Sequence, residues 1–407
     1  MRSKILKGLG FLILIVLALA IYNRKKITQL YTVLHIFDED QIVHNFMHME
    51  ELFDTRTIEQ SPQPTRLVKD LNYTPIASFS YEDSIITVPS FLESTRTMGL
   101  LVMRSDTIIY EEYFNGMDET TTHISWSVAK SVVATLLGIA YHDGLIKSLQ
   151  DPVTKYLPQL TSSGYNQVKI KDVLNMSSGV GFNEDYRDFN SDINRFGRAF
   201  ALGSSYESFA LSLKNERSPG SYNHYVSIDT QVLGMLLEKI TGKRLSVYLK
   251  EKLWDPMGME HDAQWIIDET GMELALGGLN ISLRDYAKMG LLYLQKGEWK
   301  GQQLVPAEWI ERAITPDAPH LMPGRNNEQS SNRYGYGFQW WIPEKPMGDF
   351  FAAGIYNQYI YVYPEKDFIV VKLSANHHFR VPGDESKYQH IDFFQSMAKD
   401  FAVAEEL

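Results

Sequence analysis

The stretch that most constrains the fold is Ser127-Val128-Ala129-Lys130 together with the apolar run behind it, Ser131 to Tyr141. Its aliphatic residues would cover nearly the whole circumference of a helix, and a helix that is apolar all round is buried instead of lying at the surface. Gly144 supplies a stop signal just after the run. The pattern therefore predicts a helix in the centre of the domain, with the rest of the chain packed around it.

The first turn of this predicted helix carries Ser127 and Lys130. Residues three apart lie on one face of a helix, so the hydroxyl and the amine would point the same way. Burial disfavours the charged form of a lysine, and only the neutral amine can accept a proton from Ser127. The pair is therefore either a nucleophile beside its base or a helix N-cap serine followed by a solvated lysine.

A second copy of the same spacing, Ser396 and Lys399, shows that the motif alone is weak. It lies in a C-terminal segment, residues 391–407, with the pattern of an amphipathic helix whose phenylalanines face inward and whose Lys399 faces outward. We expect this copy to be structural.

The totals exclude several classes of protein. A chain of 407 residues with 44% hydrophobic content can form one large domain or two. The formal net charge of −11 offers no basic surface, so we expect no nucleic-acid partner. The chain has no cysteine, which excludes disulfides, thiol nucleophiles and cysteine-ligated zinc.

Residues 1–26 are predicted to be a membrane anchor or a signal segment. Basic residues flank an uncharged run, residues 8–22, on both sides. Ala18-Leu19-Ala20 could be a signal-peptidase site, but the basic cluster at residues 24–26 favours an uncleaved anchor. We therefore expect a protein of the cell envelope, anchored at its N-terminus, with its main domain on the extracytoplasmic side.

Residues 27–69 are predicted to be a stalk or a wrapping arm, with residues 61–65 as a linker signal. His44 and His48 have the spacing of a metal pair on a helix, but no Glu follows His44 as it does in zinc proteases. We interpret them as surface histidines and expect neither a metal site nor a cofactor.

The remaining chain has strands at both ends and helices between them. Residues 99–104 and 107–114 form a predicted hairpin, and residues 125 to about 330 are predicted to be mostly helical. Further strands are predicted at residues 337–342, 350–354, 358–363 and 368–373. This order predicts an α+β fold in which the terminal strands share one sheet and the helical insert packs against it.

Several ordered motifs follow the Ser127-x-x-Lys130 pair. They are the segment Asp172–Gly179, Pro219-Gly220 leading to Tyr225-Val226-Ser227, and the segment Leu276–Asp285. Together they resemble the serine β-lactamase-related family, in particular its class C β-lactamase-like esterases and the 6-aminohexanoate-dimer hydrolases, over roughly residues 70–400. The resemblance implies a β-lactamase/transpeptidase-like fold for residues 70–407, with an antiparallel sheet flanked by helices and a helical domain inserted at about residues 125–330.

The resemblance also implies roles for residues that match the family's motifs. Ser127 would be the acylated nucleophile and Lys130 its base or proton relay. Tyr225 would help to move the proton from Ser127 and later to the leaving group. Ser227 would hydrogen-bond Lys130 or substrate, or only cap the helix that follows. Tyr186 matches a tyrosine of a mobile loop that contacts the substrate, with packing of a surface loop as the alternative.

The third family motif departs from the pattern. Penicillin-recognising members carry a Lys or His there that binds a carboxylate, whereas this chain has Ala352-Ala353-Gly354. The missing cation disfavours β-lactams as natural substrates. Gly354 would still let a substrate approach the strand, and the backbone N–H groups of Ser127 and Ile355 would form the oxyanion hole.

The sequence thus predicts a metal-free serine hydrolase acting on an ester or a small, linear amide. One rival is a penicillin-binding D-alanyl peptidase, which the missing cation disfavours. Another is a non-catalytic envelope binding or sensor protein on the same scaffold. An α/β-hydrolase is disfavoured because the chain has no Gly-x-Ser-x-Gly sequence.

Overall fold

The computed structural model describes residues 2–404 and places them around a mixed eight-stranded sheet. The helices are Arg2–Tyr22 (α1), Arg24–His35 (α2), Ile42–Met47 (α3), Met49–Leu52 (α4), Val88–Ser94 (α5), Val128–His142 (α6), Ile170–Leu174 (α7), Asp192–Ala201 (α8), Tyr206–Ser212 (α9), Ser227–Thr241 (α10), Leu245–Leu249 (α11), Asp255–Met257 (α12), Leu283–Leu294 (α13), Ala307–Ile314 (α14) and Ser386–Ala404 (α15).

The strands are Thr55–Ile58 (β1), Val68–Lys69 (β2), Ser78–Tyr81 (β3), Ser84–Thr87 (β4), Thr97–Arg104 (β5), Thr107–Tyr113 (β6), Thr122–Ile124 (β7), Ala263–Ile266 (β8), Leu279–Ser282 (β9), Glu298–Trp299 (β10), Gln302–Gln303 (β11), Gly335–Tyr336 (β12), Trp341–Ile342 (β13), Phe350–Gly354 (β14), Gln358–Tyr363 (β15) and Phe368–Ser374 (β16).

The eight-stranded sheet joins strands from both ends of the chain, as the sequence predicted. Its order is β12-β13-β14-β15-β16-β5-β6-β2, and β16 pairs antiparallel with β5 through Val370 opposite Val102. Every residue of β16 is buried, with Ile369 and Val371 in one hydrophobic core and Phe368 and Val370 in a second. The sheet is therefore covered on both faces, which explains why its central strands are almost continuously apolar.

Helix α6 lies in the larger of the two cores. Its residues from Val128 to Ala140 are all buried, and it packs against α10 and against strands β14 and β15. A Cβ on Gly138 would lie 2.4 Å from the indole of Trp309, so the glycine lets α14 cross α6 closely. The central position predicted for the apolar run is confirmed.

A second sheet has four strands, and two of them, β8 and β9, lie within the part of the chain predicted to be mostly helical. Its order is β1-β8-β9-β7, and Thr55 of β1 pairs with Ile266 of β8. The prediction missed β8 and β9 because both strands are only four residues long and their residues are largely buried, so they show no clear alternation. The arm before residue 70 thus adds a strand to a sheet built mainly from the middle of the chain.

The strand predicted at residues 337–342 is wrong over most of its length. The chain instead makes a tight turn between β12 and β13, and Gln339 has a positive φ of 62°. The buried Gln339 side chain donates to the carbonyl of Leu174 at the end of α7 and accepts a hydrogen bond from Thr230 of α10. Satisfying these polar groups in the core outweighs the strand propensity of the aromatic residues around it.

The two terminal helices differ from their predicted bounds. Helix α15 begins at Ser386, earlier than the predicted residue 391, and residues 405–407 of that prediction lie outside the described residues. Lys399 is exposed and Phe393 and Phe394 are buried, as predicted. At the other end, within residues 2–404, α1 is the helix long and apolar enough to cross a membrane, over Ile5–Tyr22.

Candidate active site

Ser127 and Lys130 face each other at the N-terminus of α6. Ser127 occupies the N-cap position without a side-chain capping bond, and Lys130 Nζ lies 2.9 Å from Ser127 Oγ. Lys130 is 1% exposed, and its Nζ also donates to the carbonyl oxygen of Leu276 at 2.5 Å. The contact with Leu276 fixes the direction of the amine. The helix spacing read from the sequence therefore places the two reactive groups within hydrogen-bond distance, and the solvated alternative for Lys130 is excluded.

The environment of Lys130 favours its neutral form. Burial lowers its pKa from 10.5 to about 7, although the negative charge of Glu184 acts in the opposite direction. A neutral amine that donates one N–H to Leu276 still has its lone pair free for the Ser127 proton. The pair can thus work as nucleophile and general base near neutral pH.

Tyr225 lies over the same pair. The Nζ of Lys130 is 5.3 Å from the centre of the Tyr225 ring, and the neighbouring Ser127 side chain acts to lower the pKa of the Tyr225 phenol. Burial raises the pKa of Tyr225, and the charge of Glu184 raises it further. The hydroxyl therefore stays protonated at neutral pH and can donate a proton, whereas Lys130 is the group able to accept one. On its far side the ring stacks on Trp341, with 5.4 Å between ring centroids.

Glu184 is a residue of this site that the sequence analysis did not single out. It belongs to the loop before α8, and its Oε1 accepts a hydrogen bond of 2.7 Å from the backbone N–H of Ser227. Burial raises the pKa of its carboxyl group, while the charge of Lys130 and the hydrogen bond from Ser227 oppose that rise. In the sequence, the sign that Glu184 belongs to the site is its position two residues before Tyr186. Only the folded loop brings its carboxylate close to Lys130.

Ser227 is the first residue of α10, and its hydroxyl is buried without a hydrogen-bond partner among the described residues. Lys130 donates to Ser127 and Leu276, and no hydrogen bond between Lys130 and Ser227 appears within residues 2–404. The structure brings Ser227 to the site through its backbone contact with Glu184. A contact of its hydroxyl with substrate remains a prediction.

Gly354 and Ile355 lie at the end of β14, opposite the loop that leads into α6. A Cβ on Gly354 would lie 2.2 Å from the carbonyl oxygen of Ser125, so the glycine is required by the protein's own backbone. The glycine thus lets the backbone of Ser125, two residues before Ser127, approach β14, and the approach of a substrate to Gly354 stays a prediction. Ser127 and Ile355 both form part of the wall of one cavity, and an oxyanion hole formed by their backbone N–H groups stays a prediction.

The backbone on both sides of these N–H groups has positive φ angles. Trp126, just before Ser127, has φ of 46°, and Tyr356 and Asn357, just after Ile355, have φ of 60° and 69°. Such conformations are costly for residues other than glycine and persist only where the surrounding structure holds them. They give Ser127 and Ile355 fixed orientations, as an oxyanion hole requires.

An apolar cavity of about 120 Å³ opens beside Ser127. Its walls come from the end of α2, from α8, and from Trp126, Ile355 and Tyr186. Tyr186 is the loop residue predicted to contact substrate. Burial raises the pKa of its hydroxyl, and its backbone carbonyl accepts hydrogen bonds from Asn194 and Arg380. The structure therefore brings Tyr186 to the reactive pair, in a loop that is held at several points.

The two histidines of the arm are on the surface. His44 is hydrogen-bonded to Glu51 at 3.1 Å, and His48 lies 3.5 Å from Glu50. His48, Glu50 and Glu51 offer possible ligand atoms within 4.8 Å of one another. They are solvent-accessible ion-pair partners outside the cavity, so the mechanism of the site does not involve them.

Comparison with known proteins adds independent information. A family model described as "Beta-lactamase" matches residues 87–392. The 6-aminohexanoate-dimer hydrolase of Paenarthrobacter ureafaciens is 30% identical over 292 residues, which are 70% of this chain and 74% of that protein. The solved structure "Putative 6-aminohexanoate-dimer hydrolase from Bacillus anthracis" has a TM-score of 0.80 at 23% identity, covering 90% of this chain and 96% of that chain.

A third similarity is shorter. The "Putative D-alanyl-D-alanine carboxypeptidase" of Escherichia coli K12 is 30% identical over 121 residues, which are 27% of this chain and 26% of that protein. The similarity covers about a quarter of each chain and carries little weight for the substrate. The family-model match and the long similarities, in contrast, span both the main sheet and α6.

Proposed function

This chain belongs to the beta-lactamase family of serine hydrolases, and we propose that it cleaves a carboxylic ester or a small linear amide through an acyl-enzyme on Ser127. The main support is the contact of 2.9 Å between Lys130 Nζ and Ser127 Oγ, together with the pKa of Lys130, which burial lowers to about 7. A base with a pKa near the working pH combines a useful neutral fraction with a useful proton affinity.

In the first half-reaction, the neutral Lys130 amine takes the proton of Ser127 while Oγ bonds to the substrate carbonyl carbon. The carbonyl oxygen becomes an oxyanion held by the N–H groups of Ser127 and Ile355. As the intermediate collapses, the bond to the leaving group breaks and Tyr225 gives that group a proton. The Lys130 ammonium then returns a proton to the Tyr225 phenolate.

In the second half-reaction, water attacks the acyl carbonyl and gives its proton to the Lys130 amine. The bond between the acyl carbon and Ser127 Oγ then breaks, Oγ takes a proton from the Lys130 ammonium, and the carboxylic acid leaves. Ser127, Lys130 and Tyr225 each end in their initial protonation state, so the enzyme is ready for another turnover. Small linear amides are included because the relative from Paenarthrobacter ureafaciens is named for the dimer of an amino acid.

The D-alanyl peptidase alternative has less support. Strand β14 ends in Ala352-Ala353-Gly354, which has no cation for a substrate carboxylate. Arg380 lies beyond Tyr186, where its guanidinium donates to the Tyr186 carbonyl oxygen.

The second Ser-x-x-Lys motif, Ser396 and Lys399, lacks the buried lysine of the first. Both residues lie on α15, and Lys399 is exposed.

The test compares p-nitrophenyl acetate and butyrate turnover by the full chain and two serine variants. Ser127→Ala should lower kcat/KM by at least about 10³-fold, since the nucleophile is lost. Ser396→Ala is the matched control and should behave as wild type. If the wild type is inactive, or if Ser127→Ala remains as active as wild type, the hydrolase proposal fails and the binding-protein reading takes its place.

We also propose that α1 anchors the chain in a membrane of the cell envelope, with the domain on the extracytoplasmic side. Support comes from the 18-residue segment Ile5–Tyr22, which has a mean hydropathy of 2.5 and is not buried against the protein, and from the basic residues near both of its ends. Alkaline extraction of membranes and protease accessibility of the domain test this. A soluble protein that has been cleaved by signal peptidase after Ala20 would contradict the proposed anchor.

A further inference from the structure

We propose that the apolar cavity binds the acyl part of the substrate and selects an uncharged aliphatic chain of about four to six carbons. This inference rests on the proposed function, since it assigns one side of the same serine to the acyl group. It also gives α2, a helix of the N-terminal arm, a direct part in substrate specificity.

The position of the proton donor decides which part of the substrate enters the cavity. The leaving group must lie near Tyr225, which protonates it, and Tyr225 stacks on Trp341 outside the cavity wall. Ser127 and Ile355, which hold the acyl carbonyl, are both in the wall. An acyl chain bonded to Ser127 therefore extends into the cavity, while the leaving group departs on the Trp341 side.

The chemistry of the wall determines the kind of acyl chain. Val33, Ile36, Ile193, Phe196 and Phe200 contribute hydrocarbon surface, and among the described residues that line the cavity none is an Asp, Glu, His, Lys or Arg. The amide of Asn194 already donates to the carbonyl oxygens of Tyr186 and Asp188. An ammonium or carboxylate at the end of the chain would lose its water without gaining a partner, so the cavity disfavours charged chains.

The size of the cavity determines the chain length. A cavity of roughly 150 Å³ accepts a six-carbon ring. The 120 Å³ beside Ser127 is slightly smaller, which corresponds to a linear chain of about four to six carbons. Longer chains would extend beyond this volume.

The wall formed by α2 and α8 is a tight junction. A Cβ on Gly197 of α8 would lie 3.3 Å from Cγ1 of Val33, so the two helices meet at this point of the cavity. Val33 follows the end of α1 by 11 residues, or about 16 Å along a helix. The wall is thus held next to the apolar N-terminal helix, and any assay of specificity has to keep α2 in place.

The experiment measures kcat/KM of the full chain, reconstituted in phosphatidylcholine nanodiscs, for p-nitrophenyl acetate, butyrate, hexanoate, octanoate and 6-aminohexanoate. Val33→Phe narrows the cavity and Val33→Ala enlarges it. Leu34→Phe is the matched control, because Leu34 is the next residue of α2 and is 47% exposed. The control also reports any effect of ester partitioning into lipid, which is the same for all variants.

In the wild type, we expect kcat/KM for the hexanoate ester to exceed kcat/KM for both the acetate and the 6-aminohexanoate esters by about tenfold or more. This is the usual effect of a few methylenes, or of a charge, in an apolar pocket. Val33→Phe should lower the hexanoate-to-acetate ratio by about tenfold, Val33→Ala should raise octanoate relative to hexanoate, and Leu34→Phe should match wild type. Equal rates along the series, or a ratio unchanged in both Val33 variants, would overturn the acyl assignment.

The same experiment separates this inference from the proposed function. If Ser127 becomes acylated, as seen by intact mass, but the chain length has no effect, only the acyl cavity is wrong. If no ester is cleaved and no adduct forms, the hydrolase proposal itself fails and the acyl assignment fails with it.

Discussion

Protonation of Lys130 is the perturbation whose effect follows most directly from the site. With its usual pKa of 10.5, about 0.03% of the amine would be neutral at pH 7, whereas with a pKa of about 7 half of it is neutral. Burial therefore raises the fraction of reactive base at neutral pH on the order of 10³-fold. The neutral fraction falls about tenfold for each pH unit below 6.

The assay is the pH dependence of kcat/KM for p-nitrophenyl butyrate between pH 5 and 9. Because the neutral amine is the active form, activity should rise with pH, reach half its maximum near pH 7 and then stay level, since the raised pKa of Tyr225 keeps its hydroxyl protonated. The plateau should extend to pH 9. A flat profile, or a midpoint above pH 9, would refute the assignment of Lys130 as the base.

The charge of Glu184 supplies a second readout of the same reasoning. Since this charge raises the pKa of Lys130, Glu184→Gln should move the midpoint to lower pH. Asp185→Asn is the matched control, because the neighbouring Asp185 pairs with Arg187 and should leave the midpoint unchanged. A shift to higher pH in Glu184→Gln would contradict the electrostatic account.

Three further predictions concern the proton donor, the oxyanion hole and the core. Tyr225→Phe should lower kcat for an amide or alkyl ester by about 10²–10⁴-fold but should affect kcat for p-nitrophenyl esters much less, because p-nitrophenolate leaves without a proton. Equal losses of kcat for both kinds of substrate would argue against Tyr225 as the proton donor. Gly354→Ala should destabilise the fold by about 1–3 kcal/mol in urea unfolding and lower kcat, since its Cβ meets the Ser125 carbonyl oxygen at 2.2 Å; a variant with wild-type stability and activity would contradict this. Asp285→Ala should lower the free energy of unfolding by about 3–5 kcal/mol, because the buried carboxylate accepts hydrogen bonds from Ser282, from the backbone N–H of Glu260 and from Lys288. The midpoint of the pH profile of kcat/KM should not move in this variant. A stability loss under 1 kcal/mol would refute the stabilising role of the Asp285–Lys288 ion pair.

The parts of the fold that the sequence predicted are those that local pattern determines. The all-round apolar surface of α6 required a buried helix, and the spacing of Ser127 and Lys130 then placed the two groups together. The runs of β14 and β15, 350–354 and 358–363, have bounds identical to those predicted. In these segments periodicity, turn residues and burial all favour the same structure.

The parts that escaped prediction depend on contacts between distant segments. Thr55 pairs with Ile266, and no local pattern in either strand of four residues reveals that register. Glu184 approaches Lys130 only because the loop before α8 folds over α6, and α2 contributes to the cavity only because it packs on α8. Gln339 shows the converse case, in which a buried hydrogen-bond network outweighs a good strand pattern.

The proposed mechanism requires a covalent intermediate on Ser127, which mass spectrometry of the acylated chain can detect. The full chain is mixed with p-nitrophenyl hexanoate, quenched in acid within the first turnovers and digested. We expect a hexanoyl adduct on the peptide that contains Ser127 and no adduct on the peptide that contains Ser396. The adduct should be absent in Ser127→Ala. An adduct on Ser396, or turnover of the ester with no adduct on Ser127 at any quench time, would contradict the proposed mechanism.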